Sequence, residues 1–308
     1  MLQNEAIGPN QGPNRQEIDK LRRHMAELRG QREQVEALLR PSDPAPKEAS
    51  EARGAVMRHL TALHGALTRA DELLAEVAPH ADADGLDRAL SAFAHEHRGR
   101  LSAVLGWTQL LADPQLPHER RVRGLEVVER NTVAQVRLLD RLAELLQVRR
   151  NTLSIERAPV DVGRVVERAL DTVADEARRA RVTLRGEVDA GCSVRGDLHR
   201  LHDVVAELLA NAVRATPAGG EVSLTARRAG DVVTVAVEDR GRGLSASALA
   251  RLFEEFAADA SGEGGRMGVG LYVARHVVRL HGGDVVATSE GEQRGSRFLV
   301  TLPAEEGA

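Results

Sequence analysis

The spacing of hydrophobic residues changes near Asn151 of this 308-residue chain, and this change limits its possible folds more than any other feature. Before residue 151, apolar residues recur every three or four positions, which is the period of helices that pack along one face. After it, short runs of β-branched residues alternate with helical stretches, which predicts a sheet covered by helices. We therefore expect an α+β protein of about two domains, with a helical half followed by an α/β sandwich.

The first 80 residues have the pattern of two coiled-coil helices joined by a linker. Residues 15–40 and 51–80 carry apolar residues in a heptad frame, which is typical of a coiled coil that dimerises a chain. Residues 41–50 contain three prolines that break a helix, and the polar residues 1–14 are predicted to be disordered. Two surface helices that pack locally are the alternative interpretation of the heptad pattern.

Residues 84–150 are predicted to form two long amphipathic helices separated by the turn sequence DPQLP at 113–117. One helical hairpin buries little apolar surface, whereas two hairpins pair into a four-helix bundle, so we expect a homodimer. Within HEHRGRL (95–101), His95 lies about 180° from the apolar stripe and His97 lies inside it. His95 is therefore available to a partner, although by this pattern alone an ordinary exposed histidine is the better interpretation.

Residues 151–304 are predicted to form the second domain, an α/β sandwich with helices on one face of the sheet. Strands that follow each other directly in sequence predict antiparallel hairpins rather than a doubly wound parallel sheet. The predicted strands are 152–160, 181–188, 221–228, 231–239, 284–289 and 296–303, and the predicted helices are 161–180, 198–214, 245–252 and 268–281.

Composition excludes several kinds of site and partner. Lysine occurs only at positions 20 and 47, so the rest of the chain has no P-loop lysine, no kinase strand lysine and no Schiff-base lysine. The single cysteine, Cys192, excludes a disulfide framework and thiolate zinc sites and fits a reducing cytoplasm. A net charge of −4 with 2% aromatic residues predicts no nucleic-acid partner. Because no apolar run approaches about 18 residues, we expect a cytoplasmic protein without membrane insertion.

Three glycine-rich elements follow one another in the second domain. Asp239 ends a predicted strand and begins DRGRG, in which Gly241 and Gly243 allow a tight turn close to a ligand. The sequence GGRMGVGL (264–271) leads into a helix whose first amides can receive phosphate oxygens. The third element is GSRF (295–298). Each element alone is also compatible with a plain turn.

A carboxylate and an amide lie four residues apart upstream of these glycines. Glu207 and Asn211 occupy one face of a predicted helix, where their oxygens can be ligands of Mg²⁺ or of its waters, as in a nucleotide site. The alternative is a helical acid next to a solvated asparagine. The order of acid, asparagine, DxGxG and a glycine-rich loop that opens a helix favours the nucleotide site.

Five motifs, in order and properly spaced, resemble those of the sensor histidine kinases of two-component signalling, over about residues 86–303. They are HEHRGRL (95–101), similar to the phosphoacceptor box; ELLANA (207–212), similar to the N box; DRGRG (239–243), similar to the first glycine box; LFEEF (252–256), similar to the Phe box; and GRMGVGL (265–271), similar to the second glycine box.

The resemblance implies a dimeric four-helix bundle followed by a Bergerat-type ATP-binding domain, with ATP and Mg²⁺ as cofactors. By the same resemblance His95 is the phosphoacceptor, and Glu96 is the acid that orients and activates it. The implied residues of the ATP site are the metal ligands Asn211 and Glu207, the adenine-binding Asp239, and Arg214, Gly241, Gly243, Phe253, Arg266, Gly268, Gly270 and Leu271 around the nucleotide.

The resemblance also implies partners. The phosphoryl group would pass from His95 to an aspartate on the receiver domain of a separate response regulator. Because the stretch of roughly 80 residues before the hairpin is short and poor in aromatics for a ligand-binding sensor domain, input is expected from an upstream sensory protein or from a larger sensing assembly that includes this chain. Two other functions remain open at this point. A gyrase-type ATPase is favoured by the acid at Glu207. A kinase-like scaffold without histidine phosphorylation is compatible with HEHRGRL, in which His97 and Arg100 stand where the family's box normally has Leu and Pro.

Overall fold

A computed structural model describes residues 115–255 and 268–305 without interruption, together with scattered positions between 23 and 113. These described residues divide into two units, one ending at Asn151 and the other beginning at Thr152.

The N-terminal predictions fall largely outside the described residues. This is true of residues 1–14, predicted to be disordered, and of residues 41–50, predicted to be a linker. Arg23 in the first heptad segment and Thr61 in the second are helical, and their pairing into a coiled coil stays a prediction.

The first unit contains helix α1 (His118–Arg149), where the pattern predicts the second helix of the hairpin. A Cβ atom added at Gly124 of α1 would lie 2.8 Å from Cε3 of Trp107, which belongs to the helical residues 106–111. Arg121 of α1 donates to the carbonyl of Leu111 at 3.3 Å. These contacts hold the end of one helical segment against the beginning of the next. The complete hairpin and its dimeric bundle stay predictions.

The second unit contains two sheets and four helices among its described residues. The strands are β1 (Ala158–Asp161), β2 (Thr183–Val188), β3 (Ser193–Gly196), β4 (Glu221–Ala229), β5 (Val232–Asp239), β6 (Asp284–Thr288) and β7 (Ser296–Pro303). The helices are α2 (Val162–Ala180), α3 (Leu198–Ala215), α4 (Ala246–Arg251) and α5 (Gly270–Leu280). This mixed α/β architecture confirms the predicted sandwich.

The larger sheet has the strand order β2-β4-β5-β7-β6. Strands β4 and β5 form one antiparallel hairpin and β6 and β7 form another, as the sequence predicts. Strand β2 pairs in parallel with β4, which requires the long connection through β3 and α3. The smaller sheet consists of β1 and β3.

Alternate residues of the central strands form the core of this unit. Leu224 of β4 is paired with Val237 of β5, and Val237 is paired with Phe298 of β7. All three are buried, because α2, α3 and α5 pack on the sheet. A burial period of two residues is expected of an antiparallel sheet with one covered face.

The predicted strand at 152–160 is wrong in its extent. Strand β1 covers only Ala158–Asp161, where it pairs with β3, a four-residue strand that the sequence did not indicate. Glu156, which the sequence places in this strand, donates its backbone N–H to the side chain of Asp197 at 3.2 Å rather than to a neighbouring strand. Asp197 is the N-cap of α3 and also accepts from the amides of His199 and Arg200.

Within the described part of the chain, no helix combines the length and the apolar composition needed to span a membrane.

Candidate active site

Helix α3 presents a cluster of polar side chains between its middle and its C-terminal end. Glu207 and Asn211 share one face, and the Asn211 amide nitrogen donates to Oε1 of Glu207 at 3.3 Å. Arg214 donates to Oδ1 of Asn211, and its Nη2 lies 3.8 Å from Oε1 of Glu207. The side chains of Glu207 and Arg214 are only 13% and 22% exposed. An acid, an amide and a guanidinium are therefore fixed against one another in a nearly buried position.

The beginning of α5 lies directly against this cluster. A Cβ atom added at Gly270, the first residue of α5, would lie 2.5 Å from Oε1 and 2.8 Å from Cδ of Glu207. A glycine at this position lets the Glu207 carboxylate approach the N-terminal turn of a helix, where free backbone amides favour negative charge. Gly268, two residues earlier, has a φ of 65°, and Leu271 is half-buried in the first turn of α5.

Asp239, at the end of β5, has both carboxylate oxygens fixed. Oδ1 accepts from the backbone N–H of Gly241 at 2.8 Å, and Oδ2 accepts from the hydroxyl of Ser296. The Asp239 residue is 7% exposed. Because a carboxylate has about four acceptor positions, two of them remain for a ligand donor such as an exocyclic amino group.

The loop after Asp239 is held against the C-terminal end of α3. A Cβ atom at Gly241 would overlap the carbonyl oxygen of Ala215, and the same oxygen accepts from the N–H of Arg242 at 3.1 Å. Gly243 adopts a φ of 63° beside the carbonyl of Gly291. Helix α3 therefore contacts the Asp239 loop at Ala215 and the beginning of α5 at Glu207.

Phe253, which follows α4, is packed on two sides. Its ring meets Phe298 of β7 edge to face, with centroids 6.5 Å apart. The guanidinium of Arg275 lies 5.3 Å from the Phe253 centroid. Arg275 in turn donates to both oxygens of Asp284, at 3.0 and 3.2 Å. Chiefly through these hydrogen bonds, Arg275 lowers the pKa of Asp284 and keeps its carboxylate charged.

The structure thus brings together some predicted site residues and not others. Glu207, Asn211, Arg214 and Gly270 form one connected cluster, and α3 joins that cluster to Asp239, Gly241 and Gly243. His95, Glu96 and Arg266 lie outside the described residues.

The sequence interpretation assigned no role to three residues with direct contacts here. Ser296 binds Asp239, Arg275 covers Phe253, and Glu176 of α2 pairs with Arg214. The glycine-rich motif GSRF is the sequence signal that marks the stretch containing Ser296. The structure pairs this serine with Asp239 in the β5–β7 register. No local pattern indicates Glu176, because 38 residues separate it from Arg214.

The donor set fits a Mg²⁺–nucleotide complex. Among the described residues there is no group of three or more His, Cys, Asp or Glu side chains that could hold a metal. Mg²⁺ in nucleotide sites takes one or two protein oxygens and completes its coordination with phosphates and water. The oxygens of Asn211 and Glu207, one helical turn apart, provide that number. The glycines at 241 and 270 let the carbonyl of Ala215 and the carboxylate of Glu207 pack closely against these two turns.

Comparison with known proteins identifies the family. Residues 196–306 match the family described as histidine kinase-, DNA gyrase B-, and HSP90-like ATPase. The chain is 31% identical over 271 residues to the sensor-like histidine kinase SenX3 of Mycobacterium bovis, which covers 82% of this chain and 64% of that protein. This chain belongs to the sensor histidine kinases. The matched ATPase region includes Glu207, Asn211 and Asp239, so the second unit is an ATP-binding domain of this family.

The chain is also similar to other sensor kinases. The chain is 31% identical over 210 residues to the sensor protein DivL of Caulobacter vibrioides, with 68% of this chain covered and 27% of DivL. The crystal structure of full-length ShkA in complex with AMPPNP has a TM-score of 0.52 at 26% identity, over 69% of this chain and 45% of that chain. The chain spans less than two thirds of each of these relatives.

Proposed function

We propose that this chain is a cytoplasmic protein-histidine kinase that phosphorylates His95 from Mg-ATP and transfers the phosphoryl group to an aspartate of a separate response regulator. The observation that supports it best is the position of helix α3. This helix contacts the Asp239 loop at Ala215 and the Gly270 turn at Glu207, and it carries Asn211 between these two contacts.

Each end of the nucleotide has a group of residues to bind it in this proposal. Asp239 accepts a hydrogen bond from the adenine amino group, since its fixed carboxylate has acceptor positions left for such a donor. Gly241 and Gly243 allow the backbone to approach the base. The N-terminal turn of α5, with Gly268, Gly270 and Leu271, binds phosphate oxygens together with Arg266. Phe253 closes the site on the side of α4.

Asn211 and Glu207 would hold Mg²⁺ through their side-chain oxygens. When bound, Mg²⁺ supplies positive charge that offsets the charge on the transferring phosphoryl group. Arg214 supports this function by holding the Asn211 oxygen and by balancing the charge of Glu207.

His95 is the nucleophile in the proposed reaction. An imidazole nitrogen forms a bond to the γ-phosphorus while the bond from that phosphorus to the β–γ bridging oxygen breaks, and ADP leaves with the electron pair. Glu96 accepts a hydrogen bond from the other ring N–H and so holds the ring in the tautomer that attacks. Positioning provides most of the rate, as in other phosphoryl transfers.

The proposed assembly is a homodimer joined by the four-helix bundle of residues 84–150. It would receive its input from an upstream sensory protein. The phosphoryl group would then move to the receiver domain of a response regulator, which is a separate chain.

The test is to incubate the purified protein with Mg²⁺ and ATP labelled at the γ-phosphate, beside the His95→Gln variant. We expect an acid-labile, base-stable label on the wild type and none on the variant. Absence of label in a protein that binds ATP would contradict the kinase function. ADP release would then distinguish a gyrase-type ATPase from a silent scaffold.

A further inference from the structure

Glu176 lies outside all the sequence motifs, yet it contacts the proposed metal site through one other residue. It belongs to α2, which packs against α3. Oε1 of Glu176 accepts from Nη1 of Arg214 at 3.3 Å, and the Glu176 side chain is 37% exposed. This ion pair therefore links a helix without motif residues to the guanidinium beside Asn211.

The two arms of the Arg214 guanidinium have different partners. Nη1 is bound to Glu176, whereas Nη2 donates to Oδ1 of Asn211 and lies 3.8 Å from Oε1 of Glu207. A guanidinium is planar and rigid, so a contact that fixes one arm also fixes the direction of the other. The buried Nε of Arg214 donates to none of the described residues. The orientation of this group thus depends on its two Nη contacts.

The orientation of Arg214 determines which atom of the Asn211 amide faces which neighbour. A guanidinium only donates hydrogen bonds and an ionised carboxylate only accepts them. Oδ1 of Asn211 must therefore face Arg214, and Nδ2 must face Glu207, where it donates at 3.3 Å. Because an amide oxygen has two lone pairs, Oδ1 can accept from Arg214 and still have one lone pair for a cation.

Loss of the Glu176 carboxylate would leave Arg214 with Glu207 as its acidic neighbour in this cluster. The guanidinium would then shift from Asn211 towards the Glu207 carboxylate. That shift removes the contact that fixes Oδ1 and neutralises the second proposed metal ligand. Both changes weaken the site for a divalent cation.

We propose that Glu176 is a positioning residue, which acts through Arg214 to hold the oxygens of Asn211 and Glu207 ready for Mg²⁺. This proposal rests on the proposed kinase function. It assigns the role to a carboxylate on α2 that itself contacts neither the metal nor the nucleotide.

The experiment measures the affinity of the full chain for a fluorescent ATP analogue, in a titration with Mg²⁺ and in EDTA. We expect Glu176→Gln to raise the half-saturating Mg²⁺ concentration several-fold, which is less than the rise of about tenfold or more that follows loss of a residue bonded directly to a metal ligand. Affinity in EDTA should remain as in the wild type. The control is Asp175→Asn, the neighbouring acid, whose ion pair with Arg178 is exposed and whose loss should change neither value.

The Arg214→Met background tests whether Glu176 acts through Arg214. If it does, adding Glu176→Gln to Arg214→Met changes the Mg²⁺ requirement no further. Equal losses with and without Mg²⁺, an additive effect in the double variant, or wild-type behaviour of Glu176→Gln would each overturn the positioning role. A wild-type protein that binds no nucleotide with Mg²⁺ would overturn the proposed function as well.

Discussion

Gly270 and Glu207 are in direct contact, although one begins helix α5 and the other lies in the middle of α3. A methyl group at position 270 would lie 2.5 Å from Oε1 and 2.8 Å from Cδ of the glutamate. These atoms are at the end of a flexible side chain, so they can move away when the backbone cannot. The contact consequently connects the shape of the α5 turn to the position of a proposed metal ligand.

Gly270→Ala is expected to displace Glu207 and leave the fold in place. The half-saturating Mg²⁺ concentration for binding an ATP analogue should rise by about tenfold, while the free energy of unfolding falls by no more than about 1–3 kcal/mol. Denaturant titration and nucleotide fluorescence measure the two effects. Gly106→Ala is the matched control, because no described atom lies within 4 Å of its added Cβ. Unchanged Mg²⁺ dependence in Gly270→Ala would contradict the role of the contact.

Gly241→Ala should reduce the stability of the fold more than Gly270→Ala does. Its methyl group would overlap the carbonyl oxygen of Ala215, a backbone atom that also accepts from the N–H of Arg242. The backbone can relieve the overlap only if the Asp239 loop separates from α3. We expect a loss of about 3 kcal/mol or more in unfolding free energy, at the upper end of overpacking costs. Denaturant unfolding in which Gly241→Ala is as stable as Gly270→Ala would reject this explanation.

Ser296→Ala tests whether the second oxygen of Asp239 needs its partner. The Ser296 hydroxyl donates to Oδ2, and the Gly241 amide holds Oδ1 independently. Loss of one hydrogen bond to a buried charge costs about 1.5–3 kcal/mol, and a less constrained carboxylate should bind adenine nucleotides several-fold more weakly. Guanine nucleotides are a useful comparison, because they lack an amino group at the ring position where adenine has one. If Ser296→Ala weakens both nucleotide classes equally, Asp239 does not recognise adenine through this carboxylate.

The sequence predicts the elements of the ATP domain well where one local pattern decides them. The helix predicted at 198–214 is α3 at Leu198–Ala215, and the strand predicted at 231–239 is β5 at Val232–Asp239. Strand β3 was missed because its four residues are too few for a periodic signal, and its partner is distant in sequence. The contact of Glu176 with Arg214 was also missed because its two residues are distant in sequence, and only the packing of α2 on α3 brings them together.

A buried histidine connects the C-terminal end of α5 to the beginning of α3. His281 is 3% exposed, and its Nε2 accepts from the backbone N–H of Asp197 at 2.9 Å. Its Nδ1 lies 2.8 Å from the carbonyl of Val277, which can only accept, so Nδ1 carries the proton. A Cβ atom at Gly196 would lie 2.8 Å from Nε2, which shows how closely the backbone surrounds the ring. The neutral ring satisfies both partners, whereas a protonated ring would place two donors face to face.

The free energy of unfolding of this domain should therefore decrease as the pH is lowered, because unfolding lets His281 take up a proton. Burial lowers the pKa of His281, against the opposing effects of the Val277 carbonyl and Asp197 and with a smaller lowering by Arg157. The unfolded histidine, with an ordinary pKa of about 6.5, then binds a proton at a higher pH than the folded one. The stabilisation is complete above that value and is lost as the pH decreases towards the lowered pKa, by at most about 1.4 kcal/mol per pH unit for one group. Burial also lowers the pKa of His276, so unfolding free energies between pH 7.5 and 5 should be compared for wild type, His276→Gln and His281→Gln. We expect the slope below about pH 6.5 to decrease in His281→Gln even with His276 present, and an unchanged slope in that variant would show that His281 does not titrate on unfolding.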